Sequence, residues 1–150
     1  MTLDLLQMSI SSSIVAASRH WRRICQNTLV NYRVSEACAM PLLMILRLGD
    51  GVRQVTVAQA AGLESPSLVR LLDQLCAAQI VLRTEDPTDR RAKTLSLTDS
   101  GRALALSIET ELQSLRRKVL KNVEVEDLEA TLRVLKAFEE AGHQGVEWLP

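Results

Sequence analysis

Five residues, Asp89-Arg90-Arg91-Ala92-Lys93, carry the densest chemistry in this chain. Two guanidinium groups and an ammonium lie within four positions, directly after the turn-forming Asp86-Pro87-Thr88. Thr94-Leu95-Ser96-Leu97 then alternates polar and apolar residues, as a half-buried strand does. Val81-Leu82-Arg83-Thr84-Glu85 reads as its partner strand, so the cations sit at the tip of a β-hairpin. Cations on such a projection pair with anions, and an arginine held there can enter a narrow DNA minor groove, where negative potential is enhanced. Asp89 is placed to brace an arginine fork through paired hydrogen bonds and hold it extended. In isolation the same residues describe a solvated tip with a surface ion pair.

A second set of polar residues precedes the hairpin. Ser65 can cap a helix running to about Ala78, with Pro66 at the favoured first position. At helical spacing Leu68, Leu71, Leu72, Leu75 and Cys76 share one side, and Pro66, Ser67, Arg70, Asp73 and Gln74 the other. Ser65 and Ser67 suit phosphates or base edges, and Arg70 can read a guanine with two hydrogen bonds. Gln74 suits adenine, although it lies two turns in. Asp73 repels phosphate unless a cation pairs with it, and Arg70 is three residues away.

These groups need elements to hold them. Thr56-Val57-Ala58-Gln59 has the form of a capping box and opens a short helix ending at Gly62. With the helix from Ser65 it makes a helix-turn-helix, whose second member enters the major groove with its amino-terminal residues leading. Upstream, Leu6, Ile10, Ile14, Trp21, Ile24 and Leu29 recur at helical spacing within a long first helix from about Leu3 to Tyr32. Ser35 can cap a second helix to Leu48, stopped by Gly49-Asp50-Gly51, in which Pro41 should kink the helix or delay its start. Downstream, Thr98 can cap a helix through about Val123, and another runs from about Glu126 to Ala141 with Leu128, Leu132, Leu135 and Phe138 on one stripe. The terminal helices are too long to fold back on a small hairpin domain alone, and a second copy of the chain is the simplest cover for them.

Composition narrows the function classes. The 150 residues are 47% hydrophobic but only 3% aromatic, which favours helices packed through aliphatic side chains. Net charge is zero, yet residues 1–108 hold 12 Lys and Arg against 9 Asp and Glu, while residues 109–150 hold 6 against 9. The cations are thus biased away from the acidic tail. A membrane span and a secretory signal are both unexpected, and a cytoplasmic location follows. Neither His20 nor His143 falls in a catalytic or zinc-binding motif, so no enzyme activity, metal or cofactor is expected. Cys25, Cys38 and Cys76 read as reduced core thiols. The functional alternative is oxidant sensing through Cys25 or Cys38, with Arg22 and Arg23 beside Cys25 to lower its pKa.

With these residues in place, the chain resembles the MarR/SlyA family of winged-helix transcriptional regulators over nearly its whole length. Asp89-Arg90-Arg91-Ala92-Lys93 followed by Leu97-Thr98 and Gly101 is similar to the wing motif of that family. Pro66-Ser67-Leu68-Val69-Arg70 and Leu72-Asp73-Gln74-Leu75 resemble its recognition helix. The resemblance implies a mainly α, winged helix-turn-helix fold of about six helices plus a β-hairpin wing. It implies an intertwined homodimer, with residues 1–34 and 99–150 as the helical dimerisation region and 35–98 as the DNA-binding region. The implied partner is double-stranded DNA with a palindromic operator, contacted by Pro66, Ser67 and Arg70 in the major groove. Arg91 would enter the minor groove with Asp89 positioning it, beside Arg90 and Lys93. A small aromatic acid is the implied effector, and Trp21 with Arg22 could supply a ring and a carboxylate-binding cation. Two positions depart from the family pattern: Gln79 replaces a glycine and must turn left-handed, and Glu124 replaces a small capping residue. A thiol-based redox regulator, or a winged helix used only for protein interaction, are the competing readings.

Overall fold

A computed structural model describes residues 1–32 and 34–143, with the side chain of His143 left aside. The order of elements is α1 (Leu3–Leu29), a 3-10 turn (Val30–Tyr32), α2 (Glu36–Leu48), β1 (Val52–Arg53), α3 (Gln54–Ala61), α4 (Ser65–Ala77), β2 (Val81–Glu85), β3 (Lys93–Leu97), α5 (Asp99–Val119) and α6 (Val125–His143). Among the described residues, six α-helices and a hairpin thus match the winged-helix expectation. The chain divides into two compact units, Met1–Gln113 and a second beginning at Ser114.

The first unit is organised around α2. Leu42 and Ile45 of α2, Val57 of α3, Leu68 and Leu72 of α4, Leu95 of β3 and Ile108 of α5 are all fully buried. Each such aliphatic side chain contributes about 1.5–3 kcal/mol when taken out of water. Helix α2 packs on α3, α4 and β3. Ser35 caps it as expected, its hydroxyl accepting from Cys38 N at 3.2 Å. Pro41 does not delay the start: the helix begins at Glu36 and runs through the proline, whose ring is buried. Burial of the ring in the core offsets the missing amide donor.

Two helix starts differ from expectation. Helix α3 begins at Gln54, not after Thr56, and its cap residue Arg53 makes no side-chain cap bond. The reason is β1, a strand too short to read from sequence, which pairs Val52 with Leu95 and Arg53 with Thr94. That pairing holds the chain extended to Arg53, and Thr56 falls inside the first helical turn. Similarly, Glu64 occupies the cap of α4 and Ser65 is its first helical residue, one position earlier than expected. Gly62 ends α3 in the left-handed region (φ 64). This lets Leu63 N reach back to Ala58 O at 3.0 Å.

The three strands form an antiparallel sheet in the order β1-β3-β2, with Val81 opposite Leu97 and Glu85 opposite Lys93. Thr98 caps α5 as expected: its Oγ1 accepts from Gly101 N at 2.9 Å and lies 2.8 Å from Gln79 O, to which it donates. Helix α5 ends at Val119, a turn earlier than the apolar pattern suggests. Two positions here are set by backbone geometry. Gln79 sits at φ 58, the left-handed conformation that its replacement of glycine requires. At Gly101 a Cβ would overlap the carbonyl oxygen of Ile80 and lie 2.9 Å from its carbon. Glycine is therefore what lets the first turn of α5 lie against the exit of α4.

Opposite outcomes follow at the two sites. Gly101→Ala should destabilise by at least about 2 kcal/mol, lowering Tm by roughly 4–8 °C. Gln79→Gly relieves about 1–2 kcal/mol of left-handed strain against about 0.4–1 kcal/mol of added unfolded-chain entropy, so Tm should hold or rise. Thermal unfolding of both variants checks this; a clear Tm loss for Gln79→Gly would mean the strain is absent.

Candidate nucleic-acid interface

Helix α4 divides as its sequence implies. Leu68, Leu71, Leu72 and Leu75 are buried, while Ser65, Pro66, Ser67, Arg70, Asp73 and Gln74 lie on exposed positions. With Glu64 giving no side-chain cap, the amides of the first turn face outward without a capping oxygen. The two inner members of the exposed set are tied to neighbouring elements. Asp73 pairs with Arg83 of β2 at 2.6 Å, and not with Arg70 as the sequence suggested. A β-strand cation is nearer because the hairpin packs beside the helix, as the close association of α4 with β2 indicates. Gln74 Oε1 accepts from Cys38 Sγ of α2 at 3.4 Å, which turns its amide oxygen toward the helix behind it. Arg70 has no carboxylate partner among the described residues.

The wing loop is built from backbone bonds. Asp86 N donates to Ala92 O at 2.9 Å, closing the loop one rung beyond the Glu85–Lys93 pair. Within it, Ala92 N donates to Asp89 O at 2.9 Å and Asp89 N to Asp86 O at 3.3 Å. Asp89 does not clasp a guanidinium. Its Oδ1 accepts from the backbone amide of Arg91 at 3.0 Å, because an aspartate reaches the amide two residues on more readily than a long side chain. Asp89 therefore shapes the turn on which Arg91 stands. Arg90 and Arg91 are exposed and, among the described residues, without a carboxylate partner, whereas Lys93 faces Glu85 at 3.5 Å.

The carboxylate of the loop that does hold an arginine is Asp86, which the sequence alone does not single out. Its Oδ1 accepts from Thr88 N at 2.8 Å and Thr88 Oγ1 at 2.7 Å, and its Oδ2 accepts from Arg53 Nε at 2.9 Å. The two Thr88 bonds, with help from Arg53, hold the Asp86 carboxyl at a pKa of about 2 against the desolvation that opposes them. The Asp-Pro-Thr turn was the available sequence signal; Arg53 had none, since its strand is two residues long.

The remaining candidates lie elsewhere. Trp21 is half-buried and Arg22 exposed on α1, one turn from Cys25. Cys25 and Cys38 are both buried, as core thiols are, and Cys76 is partly so. Among the described residues no group of His, Cys, Asp and Glu is arranged to hold a metal ion. None of the described helices is by itself long and apolar enough to cross a membrane.

No sequence profile of a protein family matches the chain. Solved structures do match its fold. The transcriptional regulator SlyA superposes with a TM-score of 0.81 at 16% identity, over 90% of this chain and 94% of that one. MepR of Staphylococcus aureus, solved in a DNA-binding conformation, gives 0.79 at 20% identity, over 88% and 97%. MarR of Staphylococcus aureus in complex with salicylate and kanamycin gives 0.80 at 17% identity, over 95% of each chain. The fold is thus the winged helix of MarR-type transcriptional regulators, as the wing motif suggested.

The carboxyl of Asp86 makes a pH prediction. Its folded pKa lies below the ordinary 3.8, so the unfolded chain holds an extra proton between the two values. The stabilisation is complete above about pH 4 and is lost as pH falls toward 2. Asp86→Asn should therefore lower Tm at neutral pH, and the gap to the parent should close between those values. Unfolding midpoints measured from pH 5 down to 2 check this; a gap that stays constant counts against the assigned bonds.

Proposed function

We propose that this chain, which carries the fold of the MarR-type regulators, is itself a sequence-specific DNA-binding transcriptional regulator. Ser65, Pro66, Ser67 and Arg70 lead α4 into the major groove, and Arg90 and Arg91 carry the wing into the flanking minor groove. One observation carries this reading. Of the acidic neighbours, Asp50, Asp73, Glu85 and Asp86 each face a cation of the same domain and Asp89 is engaged by the backbone amide of Arg91, leaving Glu64 exposed, while Arg70, Arg90 and Arg91 stand exposed without a carboxylate partner among the described residues. Unmatched cations on one helix face and one hairpin tip are what a polyanion neutralises. Gln74, with its oxygen engaged by Cys38, is secondary in this set.

The partner is a second copy of the chain bound across a palindromic operator. Leu3, Leu5, Leu6, Met8 and Val15 of α1 are exposed. So are Val125, Leu132, Val134 and Phe138 of α6. Apolar faces of this extent on terminal helices favour burial against a like chain, with residues 1–34 and 99–150 as the dimerisation region. A small aromatic acid is the proposed effector, with Trp21 and Arg22 as ring and cation; the salicylate in the Staphylococcus aureus MarR structure supports that class. Repression is the mode proposed.

The test is binding to sites selected from random duplex DNA, measured at several salt concentrations. Affinity should fall steeply with salt as phosphate contacts release counterions. Arg91→Ala should weaken binding roughly tenfold on all sites. Arg70→Ala should cost about 1–3 kcal/mol and flatten preference at one base step. Selection that yields no enriched sequence, or variants that bind like the parent, would overturn the assignment. Millimolar salicylate should raise Tm and weaken the complex; no change in either removes the aromatic-acid effector.

A further inference from the structure

Arg53 stands at an unusual place. It is the second residue of β1 and the residue immediately before α3, the first helix of the helix-turn-helix. Its side chain does not cap that helix. Instead its Nε donates to Asp86, which lies just past the end of β2. In the order β1-β3-β2 these two strands are on opposite edges of the sheet. The ion pair therefore straddles β3 and bridges roughly 10 Å of sheet.

Asp86 spends its other oxygen on the loop tip, at Thr88 N and Thr88 Oγ1. One carboxylate thus joins the start of α3 to the loop that carries Arg90 and Arg91. Directly beneath, the hydroxyls of Thr84 and Thr94 lie 3.0 Å apart, and Thr94 is the residue that faces Arg53 across the β1–β3 ladder. Among the described residues this is the only ion pair between the β1–α3 junction and the loop.

We infer that Arg53 and Asp86 are positioning residues for DNA recognition, their ion pair locking the wing at a fixed offset from the helix-turn-helix. This rests on the regulator reading above and adds to it a part that touches no base. A two-point grip needs its points at one spacing, since freedom between them must be frozen on binding. The pair is poorly suited to a purely stabilising role. Asp86 is only 10% exposed, but the Thr88 bonds are the main interactions that hold its charge, and Arg53, 48% exposed, adds little to global stability from its side of the pair. Neither side chain belongs to the buried aliphatic cluster.

Charge and geometry make opposite predictions, which allows a clean test on the full-length protein with its selected DNA site. Asp86→Asn removes a negative charge near the phosphates and on charge alone should tighten binding. The latch predicts the reverse, about a tenfold loss. Arg53→Gln keeps the Asp86–Thr88 turn and should lose affinity similarly, while Arg53→Lys should recover part of it. In both weakened variants, protection of guanine N7 at the α4 site should persist while hydroxyl-radical protection in the flanking minor groove fades. Without DNA, hydrogen exchange at the Asp86 and Ala92 amides should quicken severalfold in Arg53→Gln, with Tm within about 2 °C of the parent. Tighter or unchanged binding by Asp86→Asn overturns the inference, as does unaltered loop exchange in Arg53→Gln. If the parent enriches no DNA, the regulator reading fails, and the exchange result still decides whether the latch exists.

Discussion

The burial of one leucine stripe governs the rest of the first unit. Leu68 and Leu72 leave no surface exposed, and Leu71 and Leu75 almost none, because α4 is pressed against α2. Removing that stripe from water is worth several kcal/mol. A helix has a single rotational setting that achieves it, and that setting turns Ser65, Pro66, Ser67 and Arg70 outward together. The polar face is displayed because the opposite face is consumed. The same core receives Leu95 from β3 and Ile108 from α5, so the hairpin and the following helix take their places from the same aliphatic cluster.

Charge is then distributed by local pairing more than by composition. A net charge of zero gives no overall attraction to a polyanion. Yet Asp50 faces Arg102, Asp73 faces Arg83, Asp86 faces Arg53, and Arg47 faces Glu109. These pairs are worth little individually as stability. Their consequence is electrostatic: Asp73 and Asp86 are paired beside α4 and the wing loop, while Arg70, Arg90 and Arg91 there have no carboxylate partner among the described residues. A sum over the chain counts silent and active charges alike.

Two strained or crowded positions show how closely the elements are joined. Gln79 accepts a left-handed backbone, and Gly101 yields its side chain, at the same crossing between the exit of α4 and the start of α5. Thr98 bonds to the carbonyls of both Gln79 and Ile80 and caps α5 with the same oxygen. The wing is the hairpin that lies between these residues, so its base is clamped where its two strands meet the helices.

Much of this was legible in the amino-acid order. The alternation in Thr94–Leu97, the leucine spacing of α4, the caps at Ser35 and Thr98 and the wing motif are local patterns, and local sterics and burial decide them. The exposure of Arg70 follows from the buried stripe opposite it, and that of Arg90 and Arg91 from their place in the hairpin loop. What the order of residues left open depends on partners distant along the chain. Asp89 was assigned an arginine it does not clasp, since the reach of a short side chain to a nearby amide shows only once the turn is closed. Asp73 found Arg83, Gln74 found Cys38 and Asp86 found Arg53, pairings separated by ten, thirty-six and thirty-three residues. The strand that places Arg53 is two residues long and has no periodicity to read. Sequence alone determined which faces are apolar and where α2 and α5 are capped; the packed fold decided where α3 and α4 begin and which charges are paired, because proximity across elements is a property of the folded chain.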